Sequence, residues 1–452
     1  MKKTLLASAS LFVLFAGSAF ADETVFPAKL VFHAILPANS IIAAPADAAE
    51  HLQTSAKFIT ADRKRAEGIG TVKGMDGTRE TGLSTPFDGQ AMQGFSGIKT
   101  MDDGTFWSLS DNGFGKKTNS SDSMLMLHRI AFDWDAGKVN VQKTLFLSDP
   151  DKKAPFPIVM EGADTRYLTG ADFDVESIQP VADGFWIGEE FGPYMLKFNS
   201  DGHLTDVIAT KVGDIEVTSP DNAMLVVPAN PTAKMPTFNL KRSGGYEGLA
   251  MSKDGTKLYG LLEGPLYKED GSVEKAGDLT ALRIVEMDVA SKAWTGRSWL
   301  YPLSEGGEAI GDFNMVDDTT ALVIERDNGE GAPDKACADA ASKDPTCFAT
   351  PAMHKRIYKI EMTDDNAGEA VRKIGYIDLM KIADPGNKKR QGGGDGFYDM
   401  PFVTIENVDV VDQTHIVVGN DNNLPFSAGR AVDKADDNEF VLLEVGEFLS
   451  AK

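Results

Sequence analysis

The sequence predicts an all-β protein: a β-propeller of six blades, each built from three to four antiparallel strands. Three observations carry this reading. First, one short pattern occurs five times, opening at Gly94-Phe95-Ser96-Gly97-Ile98, Val175-Glu176-Ser177-Ile178, Tyr246-Glu247-Gly248-Leu249, Gly311-Asp312-Phe313-Asn314 and Ile405-Glu406-Asn407-Val408. Second, each copy runs through a turn and a second apolar stretch, closing on Asp111-Asn112, Glu189-Glu190, Glu263-Gly264, Asp327-Asn328 or Asp421-Asn422. Third, the step from the opening position to the closing acid is nearly constant, at 15, 14, 16, 15 and 15 residues. Two short apolar runs joined by Asp-Gly, as at Asp183-Gly184 and Asp254-Gly255, read as β-hairpins. Blade after blade of such hairpins is how a propeller limits its exposed strand edges.

A third strand follows each hairpin, as in Leu125–Ile130, Tyr194–Phe198, Leu282–Val285, Arg356–Ile360 and Phe440–Leu443, and a fourth is visible at Val139–Val141 and Ala293–Trp294. From Ser96 to Glu406 the repeat averages about 78 residues, longer than the roughly 40–50 of a common blade, so the inter-strand loops must be long. The stretches 149–157, 327–353 and 392–399 read as such insertions. A sixth blade is expected from residues 24–90 together with the C-terminal strand, with Val31–Leu36 as its strand; five or seven blades also fit the pattern. A short helix is expected over Ala46–Lys57.

Residues 1–21 read as a secretory leader: Lys2 and Lys3, an apolar stretch too short to span a bilayer, and the small-x-small site Ala19-Phe20-Ala21. Residues 22–452 then form one propeller domain, periplasmic or secreted, with no membrane insertion. The formal charge of −23 disfavours nucleic acid and anionic membranes and favours cations. Cys337 and Cys347, the only cysteines, are expected to pair in an oxidising compartment. The six histidines show no zinc spacing, Gly94-Phe95-Ser96-Gly97 is not a nucleophile elbow, and Gly392-Gly393-Gly394 lacks the lysine of a phosphate-binding loop.

A hairpin ends where it began, so the opening and closing residues of each copy lie at one end of their blade. Rotation about the propeller axis brings those ends to one mouth of the central channel. The expected ring comprises Asp111, Glu176, Glu190, Glu247, Glu263, Asp312, Asp327, Glu406 and Asp421, with Ser96 leaving a gap. Asp at a strand end is an ordinary turn former, whereas Glu is neither a turn former nor a favoured strand residue. Glu176, Glu247 and Glu406 therefore stand out. Carboxylates crowded together call for cations, and an all-oxygen set suits Ca²⁺. Arg326 and Arg242 are the basic residues nearest the ring in sequence, and their guanidinium groups suit phosphate or carboxylate oxygens.

At these residues the chain resembles the phytase-like family, described by an esterase-like activity of phytase. The resemblance rests on Gly94–Ile98 with Ser110–Gly113, Asp174–Ile178 with Gly188–Pro193, Gly245–Leu249, Glu325-Arg326-Asp327, and Glu406–Val408 with Gly419–Asn423. It implies an exported propeller and, through distant similarity to alkaline phytases, Ca²⁺-dependent hydrolysis of phosphoric esters on a small anionic substrate. On that reading the acidic ring supplies the Ca²⁺ ligands, Glu247 is the general base, and Arg326 and Arg242 stabilise charge on the phosphoryl group. Two alternatives stay open: a Ca²⁺-stabilised propeller that binds a ligand or protein without catalysis, and a metal-dependent carboxylic-ester or lactone hydrolase.

Overall fold

A computed structural model describes residues 23–60, 65, 70–230, 232 and 234–452. The expected leader, residues 1–21, lies outside the described residues.

The chain is a β-propeller. Its described residues form five four-stranded antiparallel blades. Blade one comprises Phe95–Thr100, Phe106–Ser110, Met126–Asp133 and Lys138–Phe146; blade two comprises Val175–Val181, Gly184–Glu189, Tyr194–Asn199 and Leu204–Ala209. Blade three comprises Tyr246–Met251, Lys257–Leu262, Leu279–Asp288 and Ala293–Pro302; blade four comprises Ala309–Met315, Thr320–Arg326, Lys355–Glu361 and Arg372–Asp378. Blade five takes Ile405–Val410, His415–Asn420 and Asn438–Glu444 from the end of the chain and its outermost strand, Lys29–Leu36, from the beginning. The ring is thus closed by pairing the first strand with the last, antiparallel from Lys29↔Glu444 to Leu36↔Asn438.

The sixth blade expected from residues 24–90 is not among the described elements, because its strand is consumed in closing the fifth. The rest of that region forms short pairs, Ile41–Ile42 with Gln90–Ala91 and Val72–Asp76 with Arg79–Thr85. The helix expected over 46–57 is a single 3₁₀ turn, Glu50–Leu52. Within that stretch Ala48 and Leu52 are buried and join the apolar core between blades one and two.

Packing follows the same count. Each pair of neighbouring blades encloses its own apolar core, with Trp107, Ile178 and Phe185 between one and two, Trp186 and Tyr246 between two and three, and Phe313 and Tyr358 between three and four. Ile324, Ile405 and Val441 lie between four and five, and Phe95, Ile98 and Phe440 between five and one. A separate apolar cluster, including Phe87, Phe114 and Leu424, knits together the loops beside the ring. Cys337 and Cys347 form a disulfide within the long insertion of blade four.

The innermost strands line the hub, and polar side chains hold them together. Asp312 accepts the backbone N–H of Phe313 at 2.8 Å, of Val408 at 3.0 Å and of Ile98 at 3.3 Å, linking blade four to blades five and one. Asn314 donates to the Val408 carbonyl at 2.8 Å, and Gln179 donates to Asn314 at 2.8 Å and to the Leu249 carbonyl at 2.6 Å. Lys99 closes the network on Asp409 at 2.7 Å. The bonds to Phe313, Val408, Ile98 and Leu249 satisfy backbone groups of the innermost strands, and the two side-chain pairs link their donors and acceptors across the hub. Asp312→Ala strands three backbone donors in the hub, so it should cost about 2–4 kcal/mol in chemical unfolding. Full stability in this variant would show that the hub network is dispensable.

Candidate functional site

All five innermost strands contain a register slip near their first residues. In blade two, Val175 pairs with Glu189 and Ser177 with Gly188, leaving Glu176 without an opposite number. Glu247 is left out in the same way between Tyr246↔Leu262 and Gly248↔Leu261, and Glu406 between Ile405↔Asn420 and Asn407↔Gly419. A bulge turns its extra residue out of the regular alternation and re-aims the side chain. The three recurring glutamates are therefore bulge residues, and all three are buried. Carboxylate oxygens of Glu176, Glu247 and Glu406 lie within 4.8 Å of one another.

A second triad, Asp174, Glu176 and Glu190, meets the same distance limit and shares Glu176 with the first. Asp174 sits two residues before Glu176. Its Oδ2 accepts Asn112 Nδ2 at 2.6 Å, while its Oδ1 is buried with no hydrogen-bond partner. Its backbone carbonyl receives the Glu190 N–H at 2.8 Å, which fixes the far end of the hairpin beside it.

Burial and mutual repulsion hold these groups protonated beyond their ordinary range. Glu176 is raised by burial, then by Asp174 and Glu247; Glu247 by burial, then by Glu406 and Glu263; Glu190 by burial, then by Asp174 and Glu263. Glu406 is pushed up to about 8 by burial and Asp421, against the pull of Arg326. Asp421 rises to about 6 through burial, although the Asn423 N–H opposes this at 2.7 Å. Asp111, raised by burial and then by Asp421 and Asp174, extends the set towards blade one.

Two cations face this cluster. Arg326 is buried, with Nη2 3.5 Å from Glu263 Oε1 and 3.9 Å from Glu406 Oε1. Its Nη1 donates to Asn328 at 2.8 Å, and its Nε is buried without a partner. Lys241 reaches Glu263 Oε2 at 3.0 Å.

The structure thus gathers Asp111, Glu176, Glu190, Glu247, Glu263, Glu406, Asp421 and Arg326 at one mouth. Three other residues expected there stand apart. Asp312 faces into the hub, where its oxygens are taken by backbone N–H groups. Asp327 turns to its own loop, pairing with Lys355 at 2.9 Å and accepting from Met353 and His354. Burial would raise it, but Lys355 and those donors outweigh burial and hold it below its usual range. Arg242 is exposed and paired with Asp221, and its neighbour Lys241 makes the contact with the ring. Glu189 differs in role from Glu190 beside it, since it caps the turn by accepting Phe191, Gly192 and Tyr194 N–H at 3.0, 2.7 and 2.8 Å. Asp174 is the residue that repeat-matching misses. Its signal is the Asp-Val-Glu spacing, which puts a second acid two residues before the recurring glutamate, just ahead of the strand start.

A secreted protein of Arthroderma benhamiae (strain ATCC MYA-4681 / CBS 112371) is 28% identical over 125 residues, 26% of this chain and 24% of that protein, so the match spans about a quarter of that relative. Among solved structures, a GH43 β-1,3-galactosidase aligns at 12% identity and TM-score 0.37, over 82% of this chain and 93% of its own. A periplasmic gluconolactonase from Pseudomonas aeruginosa aligns at 11% and 0.31, over 82% and 98%. Likeness this distant says nothing about activity. The model of the phytase-like family matches residues 90–424, which spans all the gathered acids. The chain belongs to the phytase-like family, described as having an esterase-like activity of phytase.

Proposed function

We propose that this protein is an exported, Ca²⁺-dependent hydrolase of phosphoric esters acting at the acidic mouth of the propeller. The supporting observation is the pair of buried carboxylate triads joined through Glu176, with Asp174 Oδ1 unpartnered. A buried oxygen without a donor, among acids that repel each other, is a site suited to a cation. The donor set is all oxygen, which fits Ca²⁺. Asp174, Glu176 and Glu190 would hold one ion, and Glu176, Glu247 and Glu406 a second. Such ions would draw in phosphoryl oxygens, offset the acidic field and acidify an attacking water.

The chain's own residues supply the rest. Arg326 is held among Glu263, Glu406 and Asn328, so its guanidinium is placed before substrate arrives. Its unpartnered Nε is the donor left for a phosphoryl oxygen. Water adds to phosphorus as the bond from phosphorus to the alcohol oxygen breaks; the water's proton passes to the Glu247 carboxylate, which then returns it to the departing alcohol oxygen. Lys241, fixed on Glu263, adds positive charge to a mouth that would otherwise repel an anionic ester. Export is part of the proposal: it rests on the leader read in the sequence and on the disulfide. No described helix is long and apolar enough to cross a membrane.

Phosphate release from a panel of monoesters, with carboxylic esters and lactones alongside, tests the reading. Turnover of phosphate esters should need added Ca²⁺ and stop with chelator; cation-independent turnover, or turnover of lactones alone, overturns it. Glu176→Gln should abolish Ca²⁺-dependent turnover and weaken binding at both ions. Arg326→Lys should keep Ca²⁺ binding while lowering kcat by about 10²–10³-fold.

The raised carboxyls also set a pH dependence. Their folded pKa values exceed the unfolded ones, so the cation-free fold holds extra protons and loses stability as pH rises. The loss begins above about 4, where free carboxyls ionise, and continues through about 6 for Asp421 and about 8 for Glu406. Cation-free protein should therefore melt at falling temperature from pH 5 to pH 9, and Ca²⁺ should stabilise it more at each step. Loading at pH 7 should release protons, measurable by calorimetry in buffers of different ionisation enthalpy. A melting temperature independent of pH would contradict this account of the mouth.

A further inference from the structure

Between blades three and four, on the outer side of the propeller, lies a cleft of 990 Å³. Its walls are apolar at Leu279, Leu300, Pro302 and Val371. Its polar end is an anion cradle filled by a carboxylate of the chain itself. Glu23 Oε1 accepts Ser304 Oγ at 2.9 Å, and Glu23 Oε2 accepts Tyr358 OH at 2.6 Å and Arg356 Nη1 at 3.3 Å. Lys373 stands behind these groups, donating to Ser304 Oγ at 2.6 Å and lying 3.9 Å from the centre of the Tyr358 ring.

The cradle is rigid. Tyr358 is fully buried, Lys373 is tied to Glu325 at 2.7 Å, and Arg356 stacks on Tyr376 with its guanidinium carbon 4.1 Å from the ring centre. Glu325 in turn accepts His354 Nε2 at 3.0 Å and Tyr301 OH at 2.7 Å. The occupant is held far less firmly. Glu23 is exposed, its side chain 34% accessible, and among the described residues the backbone beside it is tied to the blade by the Val25↔Tyr376 bridge and its flanking bonds. The open volume continues beyond Glu23 along the apolar walls, within the size range of small-ligand sites.

We infer that this cleft is a second ligand site, which takes an amphipathic monocarboxylate: the ligand's carboxylate replaces that of Glu23 on Ser304, Tyr358 and Arg356, and its apolar portion lies along Leu279, Leu300 and Val371. Two hydroxyl donors and a guanidinium converging on one carboxylate favour a single negative charge. Beyond the cradle the cleft is lined by Glu305 and Glu369 against one cation, Lys275, a balance that disfavours a more highly charged anion. Glu23 is then a tethered competitor, present at high effective concentration and lowering the apparent affinity for any free carboxylate. This site is separate from the acidic mouth and does not depend on the reaction proposed there.

The test uses hexanoate as the probe, with hexanol as the uncharged control, on the full chain with Ca²⁺ present. Calorimetric titration and thermal shift should show Glu23→Ala and Glu23→Gln binding hexanoate at least about tenfold more tightly than the unaltered protein. Hexanol should not bind, and adding Arg356→Leu to Glu23→Gln should remove the gain. Equal affinity with and without Glu23 overturns the inference, as does absence of hexanoate binding in a Glu23 variant that melts cooperatively. Hexanol binding as well as hexanoate would reduce the cleft to an unspecific apolar surface and also overturns it.

Discussion

The structure is governed by repulsion among carboxyl groups that the fold forces together. Glu176, Glu247 and Glu406 come from three blades, yet each is the residue its bulge leaves unpaired, and so each points at the same volume. Water solvates such groups poorly there, because all three are buried. Only protons or cations can relieve the crowding. Without cations the crowding is relieved by protonation, and on the function proposed above bound cations would let the same carboxyls ionise.

Holding like charges in place requires a stiff support, and the hub beneath the mouth provides it. Asp312 joins the innermost strands of blades four, five and one, while Asn314 and Gln179 tie in blades five, two and three. Ser96 Oγ donates to the Glu176 carbonyl at 2.6 Å, anchoring one bulge to the neighbouring blade. Close approach is part of the same design. A Cβ on Gly311 would sit 2.1 Å from the Ile405 carbonyl, and one on Gly245 would sit 2.4 Å from that of Glu190. Strands of adjacent blades are in backbone contact at the points where their acids emerge.

Much of this was legible in the sequence because hairpins and turns are local. The five copies, their spacing and the shared mouth follow from Asp-Gly turns and alternating apolar residues. The glutamates could be singled out because no turn or strand preference explains them. Blade number was harder to read, since it depends on where Lys29–Leu36 pairs, a contact across the whole length of the chain. The roles of individual acids were hardest of all. Asp312 and Glu247 occupy matching places in the repeat, yet in blade four the slip spans Gly311 and Asp312 together and leaves Asp312 facing the backbone donors of the hub. Asp327 and Asp421 likewise match in sequence, and a lysine from the next strand, Lys355, draws only the first away. Spacing along the chain cannot register such partners.

Arg326 is held in an unusual way within the acidic ring. A guanidinium buried among carboxylates would ordinarily be consumed by bidentate pairing. Here the contacts to Glu263 and Glu406 are 3.5 and 3.9 Å, longer than charge-assisted hydrogen bonds, and Nε has no partner. Burial alone would lower its pKa, but Glu263, Glu406 and Glu247 together raise it, so the charge is secure without being quenched. The next residue back, Glu325, turns the other way and pairs with Lys373 behind the outer cleft. One strand thus keeps a cation for the mouth on one face and an anion for the cleft on the other. On the function proposed above, a donor held in reserve beside paired carboxylate triads would meet an anion that arrives with its own oxygens, which is the physical argument for an ester of phosphoric acid.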